Sequence, residues 1–116
     1  MERESIEYDV VVVGGGTSGV ASAIQSSRLG SKTLLIEESN WLGGMLTSAG
    51  VSAVDGNYKM PSGFLKEFRD SLVSYYGHLD SLKTGWVSNF MFEPSVGNRI
   101  LKDIANQEKN LTILFG

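Results

Sequence analysis

The sequence predicts an α/β fold built on a parallel sheet, and three observations carry that prediction. Short aliphatic runs recur at Tyr8–Val13, Lys32–Glu37 and Leu111–Phe115. The first two flank a segment with helical spacing, so strand, helix and strand follow within about 30 residues, the length of a βαβ unit. Glycine gathers where these elements join: of 14 glycines in 116 residues, eight lie between Gly14 and Gly50, whereas an average protein carries about 7% glycine. A local excess needs a local cause.

Met1–Glu7 is polar and reads as a fraying end. Tyr8–Val13 is apolar apart from Asp9 and holds four consecutive valines; a β-branched run bounded by glycine predicts a strand buried on both faces. Gly14–Gly16 breaks it. Ser18–Leu29 carries Val20, Ala21, Ala23, Ile24 and Leu29 at helical spacing, with Gly30 in the place just past a helix end. Lys32–Glu37 predicts a second buried strand, parallel to the first through a right-handed crossover. Glu38–Gly44 is a loop ending in the doublet Gly43-Gly44, and Met45–Val54 is mildly apolar up to the turn signal Asp55-Gly56-Asn57. Ser62 caps a predicted helix to about Tyr76, in which Phe64, Leu65, Phe68, Leu72 and Tyr76 share one face and which Gly77 stops. His78–Asn89 has no regular pattern. Ser95 caps a last helix through about Lys109, with Val96, Ile100, Leu101 and Ile104 inward, and Leu111–Phe115 is the third strand.

A sheet of three buried-type strands normally continues with more strands, and the third has no following helix to cover it. Residues 1–116 are therefore expected to form the N-terminal part of a larger domain, with a substrate domain elsewhere.

Composition narrows the function classes. Hydrophobic residues make up 41% and charged residues 20%, which is globular rather than disordered. The absence of cysteine removes a disulfide scaffold, a thiolate metal site and a cysteine nucleophile; no metal site is assigned. A net charge of −3 argues against nucleic acid held through phosphate contacts. The longest purely aliphatic run, Val10–Val13, is far short of a membrane span. No basic start leads into an apolar stretch, which favours a cytoplasmic protein, although an exported protein with its leader removed would look the same.

The chemistry lies in Gly14-Gly15-Gly16-Thr17-Ser18-Gly19, a G-x-G-x-x-G motif that follows a strand and opens a helix. Gly14 permits the tight turn, Gly16 lets a pyrophosphate approach the backbone, and Gly19 lets the helix pack closely on the strand. The helix start offers free N–H groups and a positive dipole end to phosphates. Glu37, 18 residues after Gly19 and at the end of the second strand, can accept hydrogen bonds from both hydroxyls of a ribose and would repel a 2′-phosphate. Glu38 flanks that pocket. Gly43-Gly44 again lets backbone approach a ligand, a feature a nicotinamide site does not generally need. The plainer readings are a structural glycine turn and a solvated acid at a strand end.

The stretch from Tyr8 to Val51 resembles the N-terminal dinucleotide-binding half of FAD-dependent oxidoreductases of the glutathione-reductase-like superfamily. Within it LGGMLTSAGV, and later FEPSVGNRILKDIANQEKNLTILFG, resemble the members with a G-G-M-x-T loop. The resemblance implies a Rossmann-like FAD/NAD(P)-binding fold and an oxidoreductase that moves electrons or hydride through FAD. By position it gives the pyrophosphate to Gly14, Gly16, Thr17, Ser18 and Gly19, the adenosine ribose to Glu37, and the pyrophosphate and ribityl chain to Gly43, Gly44 and Met45. It is looser from Asn57 to Asn89.

The departures matter as much. Leu46 and Val51 stand where the dithiol-reductase branch has its redox cysteines, so a thiol–disulfide mechanism is excluded. Asn40, Trp41 and Leu42 offer no histidine for covalent flavin attachment. The family's later glycine-aspartate segment is not in this sequence, so these residues alone are expected to bind FAD weakly or not at all. No catalytic acid or base is assigned, and substrate and oligomeric state stay open. The competing readings are an NAD-binding Rossmann dehydrogenase segment, a non-enzymatic module that keeps the fold, and a polysaccharide (xanthan) lyase, a label that similar chains sometimes carry. His78 reads as a surface histidine. Asp55, Lys59, Lys66, Glu67 and Arg69 read as solvated charges, Trp41 and Trp86 as packing residues, and Tyr75 and Tyr76 as closing their helix on the core.

Overall fold

The computed structural model describes residues 5–54, 62–77 and 91–116. The turn signal at Asp55, the surface histidine His78, Lys59 and Trp86 lie outside these residues.

Three parallel strands in the order β1-β2-β3 form the sheet: β1 (Val10–Val13), β2 (Thr33–Glu37) and β3 (Leu111–Phe115). Val10–Val13 pairs in register with Thr33–Ile36, and Thr33–Glu37 with Leu111–Phe115. Among the described residues the α-helices are α1 (Thr17–Arg28), α2 (Gly63–Tyr76) and α3 (Pro94–Asn106), and one 3-10 turn spans Gly44–Leu46. The predicted βαβ unit and third strand are thus present. The 3-10 turn is an addition, since three residues carry no periodicity to read.

Helix boundaries moved for local reasons. α1 begins at Thr17 because Gly16, in extended backbone, is its N-cap. α3 is capped two residues earlier than predicted: Glu93, not Ser95, is the N-cap, and Pro94 fills the first turn, where its missing N–H costs nothing and its fixed φ suits the helix. It ends at Asn106, not near Lys109. Ser62 is the N-cap of α2, yet its side chain makes no capping hydrogen bond.

One expectation is overturned. β1 is not buried on both faces: Val11 is 52% and Val13 80% exposed, and Ile36 and Leu114 beside Val13 in the register are exposed too. The cause is topological. Strands added in one direction by right-handed crossovers place their helices on one face. Val20, Ala23 and Ile24 of α1, Phe68 and Leu72 of α2 and Ile100, Leu101 and Ile104 of α3 accordingly join Leu35 in a single core, against which Val12, Leu111 and Ile113 pack. Each such fully buried side chain contributes about 2 kcal/mol by transfer from water.

α2 is tied to the core by more than packing. Arg28, at the end of α1, donates to both oxygens of Glu67 at 2.6 and 2.7 Å and to Glu108 at 2.8 Å. These bonds raise the Arg28 pKa and lower that of Glu67. Glu67 is therefore a link between helices and not a free surface charge, whereas Lys66 pairs with Asp70 one turn along. Tyr76 packs on the core and its hydroxyl accepts the Glu93 N–H at 3.0 Å, but Tyr75 is 54% exposed and does not close the helix.

Candidate functional site

The site lies past the C-terminal ends of the strands, where two glycine loops meet. In the first, Gly14 leaves β1 with φ +99° and donates its N–H to the Ile36 carbonyl at 2.8 Å. Gly15 is buried and donates its N–H to Glu37 Oε1 at 2.9 Å. A Cβ built on Gly16 meets no atom within 4 Å, so its backbone is open on the side where a side chain would stand. α1 then starts with no side-chain cap and no acidic residue in its first turn. No side chain therefore satisfies its leading N–H groups or offsets its positive dipole end. At Gly19 a Cβ would lie 1.9 Å from the Gly14 carbonyl oxygen, with Val12 next at 3.5 Å. The close approach that Gly19 permits is thus first to the turn itself and only then to the strand side chain.

Glu37 ends β2. Its Oε1 accepts from Gly15, and its Oε2 accepts the Ser39 N–H at 2.7 Å and the Ser39 hydroxyl at 2.5 Å. These bonds, the Ser39 hydroxyl foremost, hold its carboxyl below the usual carboxylate range against the opposing effect of desolvation. Glu38, beside it, is exposed.

The second loop is built onto the first. Gly43 donates its N–H to the Gly15 carbonyl at 2.8 Å, and its own carbonyl accepts the Thr17 hydroxyl at 3.2 Å. Leu42 is fully buried; its N–H goes to Asn98 Oδ1 of α3 at 2.9 Å and its carbonyl accepts the Thr47 hydroxyl at 2.5 Å. Gly43 has φ +110°, and a Cβ on it would lie 2.8 Å from both Leu101 and Thr47. Gly44, at φ +55°, opens the 3-10 turn against Gly16.

The predicted residues therefore divide between two clefts. Gly14, Glu37 and Glu38 line one of about 600 Å³ with Val13, Ile36, Leu114 and Phe115. Gly16, Thr17, Ser18 and Met45 line another of about 580 Å³, whose apolar wall includes Leu46, Phe64 and Phe68. Met45 is 68% exposed there. Gly19 and Gly43 face protein. The Thr17 hydroxyl is engaged by the second loop, and Gly16 and Gly43 pair as an isolated parallel bridge.

Sequence reasoning missed Gly15, Ser39, Thr47 and Asn98. Ser39 had a signal, a hydroxyl two residues from an acceptor in a turn, where such side chains bond locally. Asn98 had none, because its partner Leu42 is 56 residues away. Among the described residues no cluster of three His, Asp or Glu side chains gathers to hold a metal, and no helix is long and apolar enough to cross a membrane.

A parallel α/β sheet with an uncapped helix start, an open glycine backbone and an acidic strand end defines a dinucleotide-binding fold. The chain belongs to the FAD dependent oxidoreductase family, whose model matches residues 9–116. It is similar to the glutathione reductase of Debaryomyces hansenii, 43% identical over 70 residues that make up 60% of this chain and 14% of that protein. It is 30% identical to the carotenoid phi-ring synthase of Chlorobaculum tepidum over 100 residues, 86% of this chain and 15% of that one. Among solved structures, p-nitrophenol 4-monooxygenase PnpA from Pseudomonas putida DLL-E4 matches with a TM-score of 0.54 and 15% identity over 97% of this chain and 32% of that chain, a likeness of fold. The chain thus spans a small part of these relatives' length. Its family is that of flavin oxidoreductases, which favours neither the nicotinamide dehydrogenase, nor the ligand-free module, nor the lyase.

Proposed function

We propose that these residues are the N-terminal part of the FAD-binding domain of an oxidoreductase and hold the ADP half of the cofactor. The observation that supports this reading best is the joining of the open Gly16 backbone and uncapped α1 start to Glu37 through Gly15, whose N–H bonds the carboxylate. The N–H groups at Gly16, Thr17 and Ser18 receive the pyrophosphate, with the α1 dipole favouring its charge. Glu37 accepts the adenosine ribose hydroxyls, Glu38 flanks the same pocket, and Val13, Ile36, Leu114 and Phe115 give it an apolar wall for the base. Gly44 and Met45 lie beside Gly16 on the path the rest of the cofactor would take, and the buried Gly43 ties their loop to Gly15.

When bound, FAD supplies the electron or hydride transfer. The chain's residues bind and orient it, and they carry no assigned catalytic acid or base. The substrate is a small molecule handled by parts of the protein outside these residues, and without the family's later glycine-aspartate segment the 116 residues alone are expected to bind FAD weakly or not at all.

The test is a titration of the full-length protein with FAD. Glu37→Gln keeps the side-chain shape but removes the charged acceptor, and is expected to weaken binding about tenfold, the worth of a hydrogen bond to a charged group. A full-length protein that shows no flavin spectrum, and takes up no FAD on titration, would overturn the reading.

A further inference from the structure

The loop after β2 is held from outside by one face of α3, since residues three and four apart on a helix are neighbours. Asn98 Oδ1 accepts the Leu42 N–H at 2.9 Å, and Lys102, one turn along, donates its ammonium to the Asn40 carbonyl at 2.6 Å. Leu101 packs where a side chain on Gly43 would stand. The two side-chain bonds straddle Trp41 and hold different ends of the loop. Lys102 holds the end next to Ser39 and Glu37, while Asn98 holds the end that runs into Gly43 and Gly44. Leu42 is fully buried. A buried N–H that loses its acceptor is costly, and turning Leu42 towards water would relieve it. Gly44 would move with it. It lies so close to the first loop that a Cβ on it would stand 3.1 Å from Gly16 Cα.

We propose that Asn98 is a positioning residue for the cofactor: by accepting the Leu42 N–H it presets Gly44 and Met45 beside Gly16, and so strengthens the hold on the part of FAD beyond its ADP half. The proposal rests on the reading of these residues as the holder of the ADP half. A loop already in place has less freedom to lose when the cofactor arrives. ADP ends at its diphosphate, which meets the first loop, and its ribose meets Glu37, at the end of the second loop that Lys102 and Ser39 keep. Asn98 therefore favours FAD over ADP.

The test titrates FAD and ADP separately into the full-length protein freed of cofactor. Asn98→Leu keeps a side chain of similar size and removes the acceptor. It is expected to raise the FAD dissociation constant about fivefold relative to that of ADP, roughly the worth of one hydrogen bond. Asn98→Asp keeps an acceptor oxygen in place and is expected to restore the ratio, because its charge acts on a diphosphate that both ligands share. A residue that only stabilised the fold would affect both ligands alike. An unchanged ratio in Asn98→Leu overturns the proposal, as does failure of Asn98→Asp to restore it. A measurement on the unsubstituted protein is independent of how the variants fold: without cofactor, its Leu42 amide is expected to resist hydrogen exchange, and exchange as fast as in an open loop would show that nothing is preset. Glu37→Gln separates the two levels. If it weakens neither FAD nor ADP, the cofactor reading itself fails; if it weakens both while Asn98→Leu leaves their ratio alone, only the role of Asn98 fails.

Discussion

In the turn after β1, a Cβ placed on Gly14 or Gly16 would meet no atom within 4 Å, whereas in the loop after β2 a Cβ on Gly43 would lie 2.8 Å from Leu101 and Thr47. Lack of room or a positive φ accounts for Gly14, Gly19 and Gly43, but not for Gly16. Gly14 needs glycine for its φ of +99° and Gly16 has an ordinary φ of −67° with open space beside it. Gly43 has both a φ of +110° and no room, in a buried position. Gly19 belongs by sequence to the first loop but by physics to the packed group, since its missing side chain would strike the Gly14 carbonyl. A single motif therefore mixes glycines that shape the fold with one that leaves backbone open to a ligand, and composition alone cannot separate them.

The strongest way to break that comparison is Gly19→Ala. A Cβ 1.9 Å from a backbone oxygen cannot be relieved by a side-chain rotation; α1 must move off the turn. The expected loss is on the order of 3 kcal/mol or more of unfolding free energy, at the upper end of overpacking effects. Urea unfolding of the full-length variant checks it. A loss under about 1 kcal/mol would mean that the turn yields easily and that the Gly19 contact is not a constraint.

Gly43→Ala comes next. Its clash is with the side chains of Leu101 and Thr47, which can give way, so the cost is mostly the left-handed backbone, about 1–3 kcal/mol. The change also pushes on the loop that bonds to Gly15 and Thr17, so FAD affinity is expected to fall together with the unfolding midpoint. Loss of affinity at unchanged stability would place Gly43 with the open glycines instead.

The sequence made the strand–helix–strand unit, the third strand and the core faces of α2 and α3 legible, because each is a local pattern of spacing and turn residues. The places of Gly16, Gly19 and Glu37 in the turn and at the strand end were legible as well, because they stand in a motif whose spacing follows from backbone geometry. The exposure of Val11 and Val13 was not legible. A run of valines looks the same whether one face or two are covered, and only the direction in which strands are added decides it. The links among the loops were equally hidden. Asn98 and Leu42 are 56 residues apart, and Arg28 and Glu67 are 39 apart, so no local pattern could pair them. Ser39 stands two residues from Glu37 in the sequence, but that its N–H and hydroxyl both bond one oxygen of the carboxylate depends on the shape of the turn.

The smallest effect on the fold and the sharpest test of the comparison is Gly16→Ala. Its φ of −67° suits any residue, and the new methyl meets no protein atom within 4 Å. Alanine is a poorer N-cap than glycine, and the exchange there costs about 0.5–1 kcal/mol. The full-length variant should therefore unfold at a urea concentration only slightly below that of the parent. FAD is a different matter. In the proposed binding mode a methyl on Gly16 would stand where a phosphate approaches the helix start, and displacing the phosphate would lengthen its hydrogen bonds. Affinity is expected to fall at least about tenfold, the loss of a hydrogen bond to a charged group. Nearly equal stability with lost binding would show that Gly16 is glycine for the ligand alone. Nearly equal stability with unchanged FAD affinity would put the pyrophosphate elsewhere, and would move the functional weight of this turn from Gly16 to its neighbours.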